Sequence, residues 1–327
     1  MLTTPEIEPE VRPDPTRLLL VLGVAVAVML LWFVVVSVLS SLGQHSLHFA
    51  GFALLASLVS PLRKNPTLAW RLLDVLLGLL AASSALYLIA MEDAIYERGV
   101  RLATSEWAAG IILILCTLEF TRRVAGWFIP VLIIVSLSYV AWWGQHISGV
   151  FKFAGLSMET ILFRSVYGDD ALFGTIASIS STYVFMFILF GAFLLRSGAG
   201  EFVIDLARAV AGRMVGGPGL VAVMASGLMG TISGSAVANT ASTGVITIPL
   251  MKRAGFPAKF AAGVESAAST GGQLMPPIMG AGAFVMATYT QISYNTIVLV
   301  SILPAMLYFA TVGFFVRIEA KRSHVTA

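Results

Sequence analysis

Residues 214–251, between Arg213 and Lys252, form a run of 38 positions without one Asp, Glu, Lys or Arg. This run limits the possible folds more than any other part of the chain. A helix needs roughly 20 apolar residues to cross a bilayer, so two crossings would use the whole run and leave nothing for a turn. Its middle, Gly230-Thr-Ile-Ser-Gly-Ser-Ala-Val-Ala-Asn239, is small and polar between apolar flanks. That is poor material for an exposed outer loop and good material for a buried tip. The run therefore predicts a helical hairpin over about 216–251 that turns at about 231–237 and leaves by the side it entered.

A membrane setting follows from composition. Hydrophobic residues make up 58% of the chain, charged residues 11%, and mean hydropathy is +0.91. A soluble domain carries roughly 25% charged residues, so this is an all-α, polytopic membrane protein. The formal charge is +3, with the basic residues in short loops. That pattern serves membrane topology and gives no nucleic-acid patch. Residues 1–16 are acidic and Pro-rich and read as a disordered tail that lacks the basic start of a cleavable signal peptide. Apolar segments follow at about 18–40, 47–62, 72–91, 107–120 and 124–143. A mixed, interfacial connection over 144–170 carries Lys152, Glu159, Arg164, Asp169 and Asp170. A span at 171–195 and a short amphipathic helix at about 201–213 come next. Glu92, Asp93 and Glu97 read as a loop with Arg98 and Arg101, a solvated charged face.

Lys and Arg positions set the orientation. With a cytoplasmic N-terminus, sixteen of the twenty fall inside, and only Arg98, Arg101, Lys152 and Arg164 fall outside. This is the bias of the positive-inside rule, and it places the C-terminus inside as well. The hairpin then opens to the cytoplasm. From Lys259 the chain must cross once to a charge-free turn near 291–295, and a last span over about 295–316 returns it to Arg317. The outward crossing, about 257–290, is interrupted by Ser269-Thr-Gly-Gly-Gln-Leu-Met-Pro-Pro277, which predicts a discontinuous helix.

Broken backbone at membrane depth is tolerated only where it is buried in protein or lines a cavity. Transporters place ion and substrate sites there. Ser233, Gly234, Ser235, Asn239 and Thr243 offer oxygen ligands or backbone groups at the hairpin. Ser269, Thr270, Gly271, Gly272 and Gln273 offer them at the break. Pro276 and Pro277 lack N–H donors and free carbonyls one turn earlier. Oxygen ligands suit hard cations, and helix N-termini suit anionic groups. The competing reading is close helix packing, since Gly212–Gly216 and Gly230–Gly234 have GxxxG spacing. Glu265 is the only charge between Lys259 and Arg317. An intramembrane carboxylate points to function. Alternatively, Glu265 snorkels to the cytoplasmic end or pairs with Lys259. No nucleophile elbow, phosphate-binding loop or zinc-protease signature is present, which argues against an enzyme. Cys116 is a lone apolar-run thiol, and His45, His48, His146 and His324 do not cluster in the sequence.

Gly216-Gly-Pro, Gly230-Thr-Ile-Ser-Gly-Ser-Ala-Val-Ala-Asn239, Ile248-Pro-Leu-Met-Lys252 and Ser269-Thr-Gly-Gly-Gln-Leu-Met-Pro-Pro-Ile-Met-Gly280 together resemble the fused membrane subunit of tripartite ATP-independent periplasmic (TRAP) transporters of the TAXI type. Thr182-Tyr-Val-Phe-Met-Phe-Ile-Leu-Phe-Gly191 and Glu119-Phe-Thr-Arg-Arg123 extend the resemblance to about 105–320. It implies an elevator-type transporter in the bacterial inner membrane. Residues 17–123 would be a scaffold part resembling the small subunit, and 124–327 the first repeat of the large permease domain. It further implies sodium-coupled uptake of small organic anions delivered by a periplasmic TAXI-type binding protein. Sodium is then the coupling ion, with ligands among Ser233, Ser235, Asn239 and Gly271, and no organic cofactor is implied. Gly272, Gln273, Pro276 and Pro277 carry the family's contacts at the broken helix. The family's large domain has two hairpins and two broken helices, and this chain shows one of each. Either the chain is a truncated product or a second polypeptide supplies the other repeat; the alternative function is a truncated, non-transporting half-permease that acts as a scaffold or assembly partner.

Overall fold

The computed structural model describes residues 17–36, 39–63, 66–168, 171–276 and 279–325. The tail at 1–16, Lys64, Asp169, Asp170 and the candidate site residue Pro277 lie outside the described residues. The regular structure of the described residues is all helical, with no strand among them. Six helical segments are long and apolar enough to cross a membrane: Leu19–Val36, Ser41–Val59, Leu68–Arg98, Phe128–His146, Thr175–Arg196 and Tyr294–Arg322. The chain divides into two compact units, Met1–Ser181 and Thr182–Ala327.

The first unit holds α1 (Arg17–Val36), α2 (Ser41–Val59), α3 (Leu68–Arg98), α4 (Thr104–Ala125), α5 (Phe128–Ser138), α6 (Met158–Leu162) and α7 (Thr175–Ile179). Ser40 starts α2 by accepting from the Gly43 N–H at 3.0 Å, and its own hydroxyl reaches Glu92. Small residues then let α2 and α3 close on each other. A Cβ on Gly78 would stand 2.3 Å from the Ser57 hydroxyl. Ala82, Ala85 and Leu88 continue that seam into a core with Leu113, Val166 and Phe173, and Ala81 packs with Ala53 and Cys116. Tyr167 tethers the segment after α6 by donating to the Glu106 carbonyl at 2.5 Å. The lipid-facing side shows in what is left bare: Val131, Leu132 and Ile134 on α5 are all exposed.

One sequence expectation changes here. Glu92, Asp93 and Glu97 are not in a loop; α3 continues to Arg98, and only five residues separate it from α4. They lie on partly or fully exposed positions of that last stretch, where a helix keeps charged tips in water. The expected span at 107–120 is part of α4, a 22-residue helix with Glu106, Glu119, Arg122 and Arg123 at its ends. Those charges are paired: Arg98 with Glu106, Arg122 with Glu119, and Arg123 with both Glu119 and Asp74.

The second unit holds α8 (Phe185–Arg196), α9 (Ala199–Ala211), α10 (Gly217–Ser233), α11 (Ala236–Arg253), α12 (Ala258–Gly271), α13 (Ala281–Thr290) and α14 (Tyr294–Arg322). The amphipathic α9 buries Val203, Ile204, Ala207 and Ala211 beside α10, and leaves Phe202, Asp205 and Arg208 outside. α10 is surrounded by α9, α11, α12 and α14. One buried core, including Ala222, Val223, Met251, Ala261, Val264, Val316 and Ala320, ties these helices together.

Candidate functional site

The uncharged run folds as two helices joined by a tight turn. α10 begins after Gly216, with Pro218 in its first turn where a missing N–H costs nothing. It ends at Gly234, which takes the left-handed conformation (φ 60°) and donates its N–H to the Gly230 carbonyl at 3.0 Å. A glycine is favoured at such a C-cap because a Cβ is penalised there. Ser235 then caps α11 by accepting from the Ala238 N–H at 3.3 Å. One residue closes the first helix and the next opens the second.

The outward segment is broken in the structure too. α12 ends at Gly271, a single 3-10 turn covers Gly272–Leu274, and α13 restarts at Ala281. The carbonyls expected to be free before the prolines are recaptured. Gly272 accepts from the Met275 N–H at 3.2 Å and Gln273 from the Gly280 N–H at 2.8 Å. The break therefore satisfies those two groups within its own turn, as buried backbone must.

Hairpin tip and helix break touch backbone to backbone. A Cβ on Gly230 would stand 2.4 Å from the Gly272 Cα, and one on Gly272 would stand 2.5 Å from the Gly230 Cα. A Cβ on Gly234 would meet the Met279 carbonyl oxygen at 2.8 Å, and Gln273 reaches the Gly234 carbonyl from the other side at 3.5 Å. Gly271 is packed beneath Tyr308 and Phe309 of α14, and Tyr308 donates to the Ala267 carbonyl at 2.9 Å. The glycines of both motifs thus serve close packing and bring the two irregular segments together at once.

One turn further in, the buried polar side chains form a single network. Glu265 is fully buried. Its Oε1 accepts from Thr243 (2.5 Å), Ser226 (2.8 Å) and Ser269 (3.0 Å), and its Oε2 from Thr247 (2.5 Å). Asn239 donates through Nδ2 to the Ser226 carbonyl at 2.7 Å and to the Ser269 hydroxyl at 3.2 Å. Its Oδ1 is buried with no hydrogen-bond partner. Glu265 therefore neither snorkels nor pairs with Lys259: it sits about two turns into α12, surrounded by hydroxyls from three helices. Thr243 is also part of the wall of a cavity of about 600 Å³ that Ser242, Met229, Arg196 and Glu201 line as well.

The structure sorts the candidates predicted from sequence into two groups. Asn239, Thr243, Ser269 and Glu265 meet in the buried network. Ser233, Gly234, Ser235, Gly272 and Gln273 lie at the tip and the break, with Ser235 and Gln273 exposed and Pro276 half-buried at the end of the break. Thr270 joins neither group; it is exposed and donates back to the Ser266 carbonyl of its own helix at 2.8 Å. Ser226 and Thr247 belong to the network and escape the sequence reading. The spacing of Asn239, Thr243 and Thr247 at intervals of four places three polar residues on one helix face, and it was the available signal for Thr247.

Residues 112–327 match the family described as "Tripartite ATP-independent periplasmic transporter, DctM component". The chain is 36% identical over 124 residues to the C4-dicarboxylate TRAP transporter large permease protein DctM of Pseudomonas aeruginosa, covering 37% of this chain and 28% of that protein. It is 31% identical over 145 residues to a putative TRAP transporter large permease protein of Haemophilus influenzae, covering 44% and 34%. It is 31% identical over 134 residues to the 2,3-diketo-L-gulonate TRAP transporter large permease protein YiaN of Escherichia coli, covering 41% and 31%. The aligned part thus spans about a third of the length of these relatives. No solved structure matches the chain. The motifs at the hairpin and the break, the membrane-length helices and the match to about two-thirds of the sequence lead to one assignment: this chain is an integral membrane protein of the DctM family, the large permease component of tripartite ATP-independent periplasmic transporters.

Proposed function

We propose that the chain is a permease subunit of a sodium-coupled secondary transporter that takes up small organic anions. The carrying observation is the direct contact of Gly230, in the last turn of α10, with Gly272 of the helix break, which sets the hairpin against irregular backbone inside a helical membrane protein. Irregular backbone at membrane depth is the setting in which transporters hold ions and substrates. The names of the relatives supply the substrate class, since a C4-dicarboxylate and 2,3-diketo-L-gulonate are both organic acids. Sodium fits the donors present: they are oxygens, and the Asn239 Oδ1 is a buried acceptor without a donor. Its ligands would come from among Ser233, Ser235, Asn239 and Gly271.

The partners follow the same reading. A periplasmic TAXI-type binding protein delivers the substrate, and the other permease repeat, if encoded separately, is a second partner. The subunit sits in the bacterial inner membrane with both termini cytoplasmic, and residues 17–123 serve as scaffold to the repeat at 124–327. As permease rather than enzyme, it moves its substrate unchanged.

Reconstitution tests this. Proteoliposomes with a sodium gradient, a loaded binding protein and this chain should take up the organic acid when the polypeptide encoded next to it is present. No uptake with that polypeptide, from folded protein, would favour a non-transporting scaffold. Ser235→Leu should abolish uptake with expression unchanged, because the bulky side chain replaces the α11 cap at the tip. In Ser235→Cys, at the exposed tip, the thiol should resist an impermeant reagent added outside; labelling there would mean two full spans in place of the hairpin.

A further inference from the structure

We propose that the groove between α9, α10 and α14 binds one tail of an anionic phospholipid, with the headgroup phosphate held by Arg213 and Arg317. None of the residues that line this groove belongs to the buried network around Glu265.

Shape is the first argument. The groove has a volume of about 380 Å³, and the described residues that line it are apolar without exception. It follows α10 from Leu220 to Leu228, about 12 Å at 1.5 Å per residue. One leaflet offers about 15 Å of hydrocarbon, so the groove matches the depth of a single tail. Its floor is open because Gly313 has no side chain; a Cβ there would meet only Leu220, at 3.5 Å. Phe309 forms a wall by packing on Gly227, where a Cβ would stand 2.8 Å from the ring. Met214, Met224 and Met275 complete the lining with flexible, polarizable side chains that mould to a mobile chain.

Charge is the second. The turn after α9 packs on the end of α14: a Cβ on Gly216 would stand 2.8 Å from the Ala320 Cβ and 3.5 Å from the Val316 carbonyl oxygen. Arg213, next to the lining residue Met214, is thereby brought to the end of α14 that carries Arg317. Phe309, Gly313 and Arg317 recur at intervals of four and share one helix face. Both arginines are exposed, and neither makes an ion pair among the described residues. The neighbouring carboxylates are engaged: Asp205 with Arg208 at 3.6 Å, and Glu319 with Arg322 at 3.8 Å and the Ser323 hydroxyl at 3.1 Å. A guanidinium presents a donor fork that fits a phosphate.

Width decides against a protein occupant. Spread along about 12 Å, the volume leaves a cross-section of roughly 30 Å², whereas a helix with its side chains is about 10–12 Å across. A single hydrocarbon tail fits. A soluble anion would find no polar partner in the walls, and a neutral lipid would leave both arginines unused. Met275 belongs to the helix break, so an occupied groove braces that break from the bilayer side.

Photo-crosslinking of the full purified chain in phosphatidylcholine nanodiscs tests this. The probes are phosphatidylglycerol and phosphatidylcholine, each with a diazirine near the end of one tail, and adducts are mapped by mass spectrometry. Phosphatidylglycerol adducts should concentrate at Met224 and Met275. Gly313→Leu fills the floor without a backbone clash and should lower them about tenfold. Arg213→Gln combined with Arg317→Gln changes only exposed side chains. It should cut the preference for phosphatidylglycerol over phosphatidylcholine about tenfold or more, and it reports even if Gly313→Leu fails to fold. Equal labelling of the groove by both probes in wild type, or adducts spread evenly over the exposed faces of α1, α5 and α14, would mean ordinary surrounding lipid and overturns the proposal. Loss of the adducts when the polypeptide encoded next to the chain is present would mean that this polypeptide covers the groove, and overturns it as well.

Discussion

In the Gly272→Leu variant, uptake is expected to be abolished while the chain still inserts into the membrane. The reason is geometric. The Gly272 position has no room for a first carbon, because a Cβ there would stand 2.5 Å from the Cα of Gly230. Neither side of this contact is a side chain that can swing away; both are backbone. Overpacking of a core typically costs about 1–3 kcal/mol where side chains can adjust, so backbone-on-backbone contact sets a larger penalty. Relief requires the hairpin to lift off the break, which separates the tip from Gln273 and Gly280. The long spans are untouched, so expression should persist. Gly230→Ala should act in the same direction from the other helix. Combined with Gly272→Ala it should cost less than the sum, because one separation relieves both. Sodium-dependent uptake at the wild-type rate in Gly272→Leu would disprove the role given to the contact.

The second large effect lies in the first unit and concerns stability. Arg123 is buried and donates to Asp74 at 2.7 Å, to Glu119 at 2.9 Å and to the Ser60 carbonyl at 2.8 Å. Asp74 also accepts from the Leu62 N–H at 3.2 Å. Removing one partner of a buried pair leaves the other charged and unpaired, and the expected cost of Arg123→Met is about 3–5 kcal/mol. Glu119 is buffered, because Arg122 holds it independently at 2.8 Å. The double variant Asp74→Asn with Arg123→Met should recover much of the loss, since no charge is then stranded. Thermal unfolding of the purified chain measures both. A double variant as unstable as Arg123→Met alone would show that packing of the Arg123 stem, not charge, governs this position.

Much of the architecture is written in short-range patterns. The run without charge between Arg213 and Lys252 forces a hairpin, because two spans and a turn do not fit in its length. Gly234-Ser235 then marks the turn, as a left-handed cap followed by a side-chain cap. Gly271-Gly272 and the prolines mark the break, because the first favour bending and the second cannot continue the helical hydrogen bonds. The charged stretch near Glu92 was harder. A helix end is set by a few competing hydrogen bonds, and acidic residues tolerate an exposed last turn as well as a loop, so α3 runs on to Arg98.

Pairing across the hairpin and the break belongs to the tertiary fold. Composition and periodicity place Glu265 inside a membrane helix, but its neighbours come from three helices separated by up to 39 residues along the chain. Ser226 looks like any small residue in an apolar helix until α10 turns it toward α12. The same holds for Gly230 and Gly272, whose spacing suggests packing without saying against what. Local sequence reports on backbone preference and on burial averaged over a face; which faces meet depends on contacts that form only when α10, α11 and α12 close together. The hairpin, the break and the membrane setting were therefore legible in the chain itself, whereas the hydroxyl cage around Glu265 and the glycine contact beside it exist only because those helices pack.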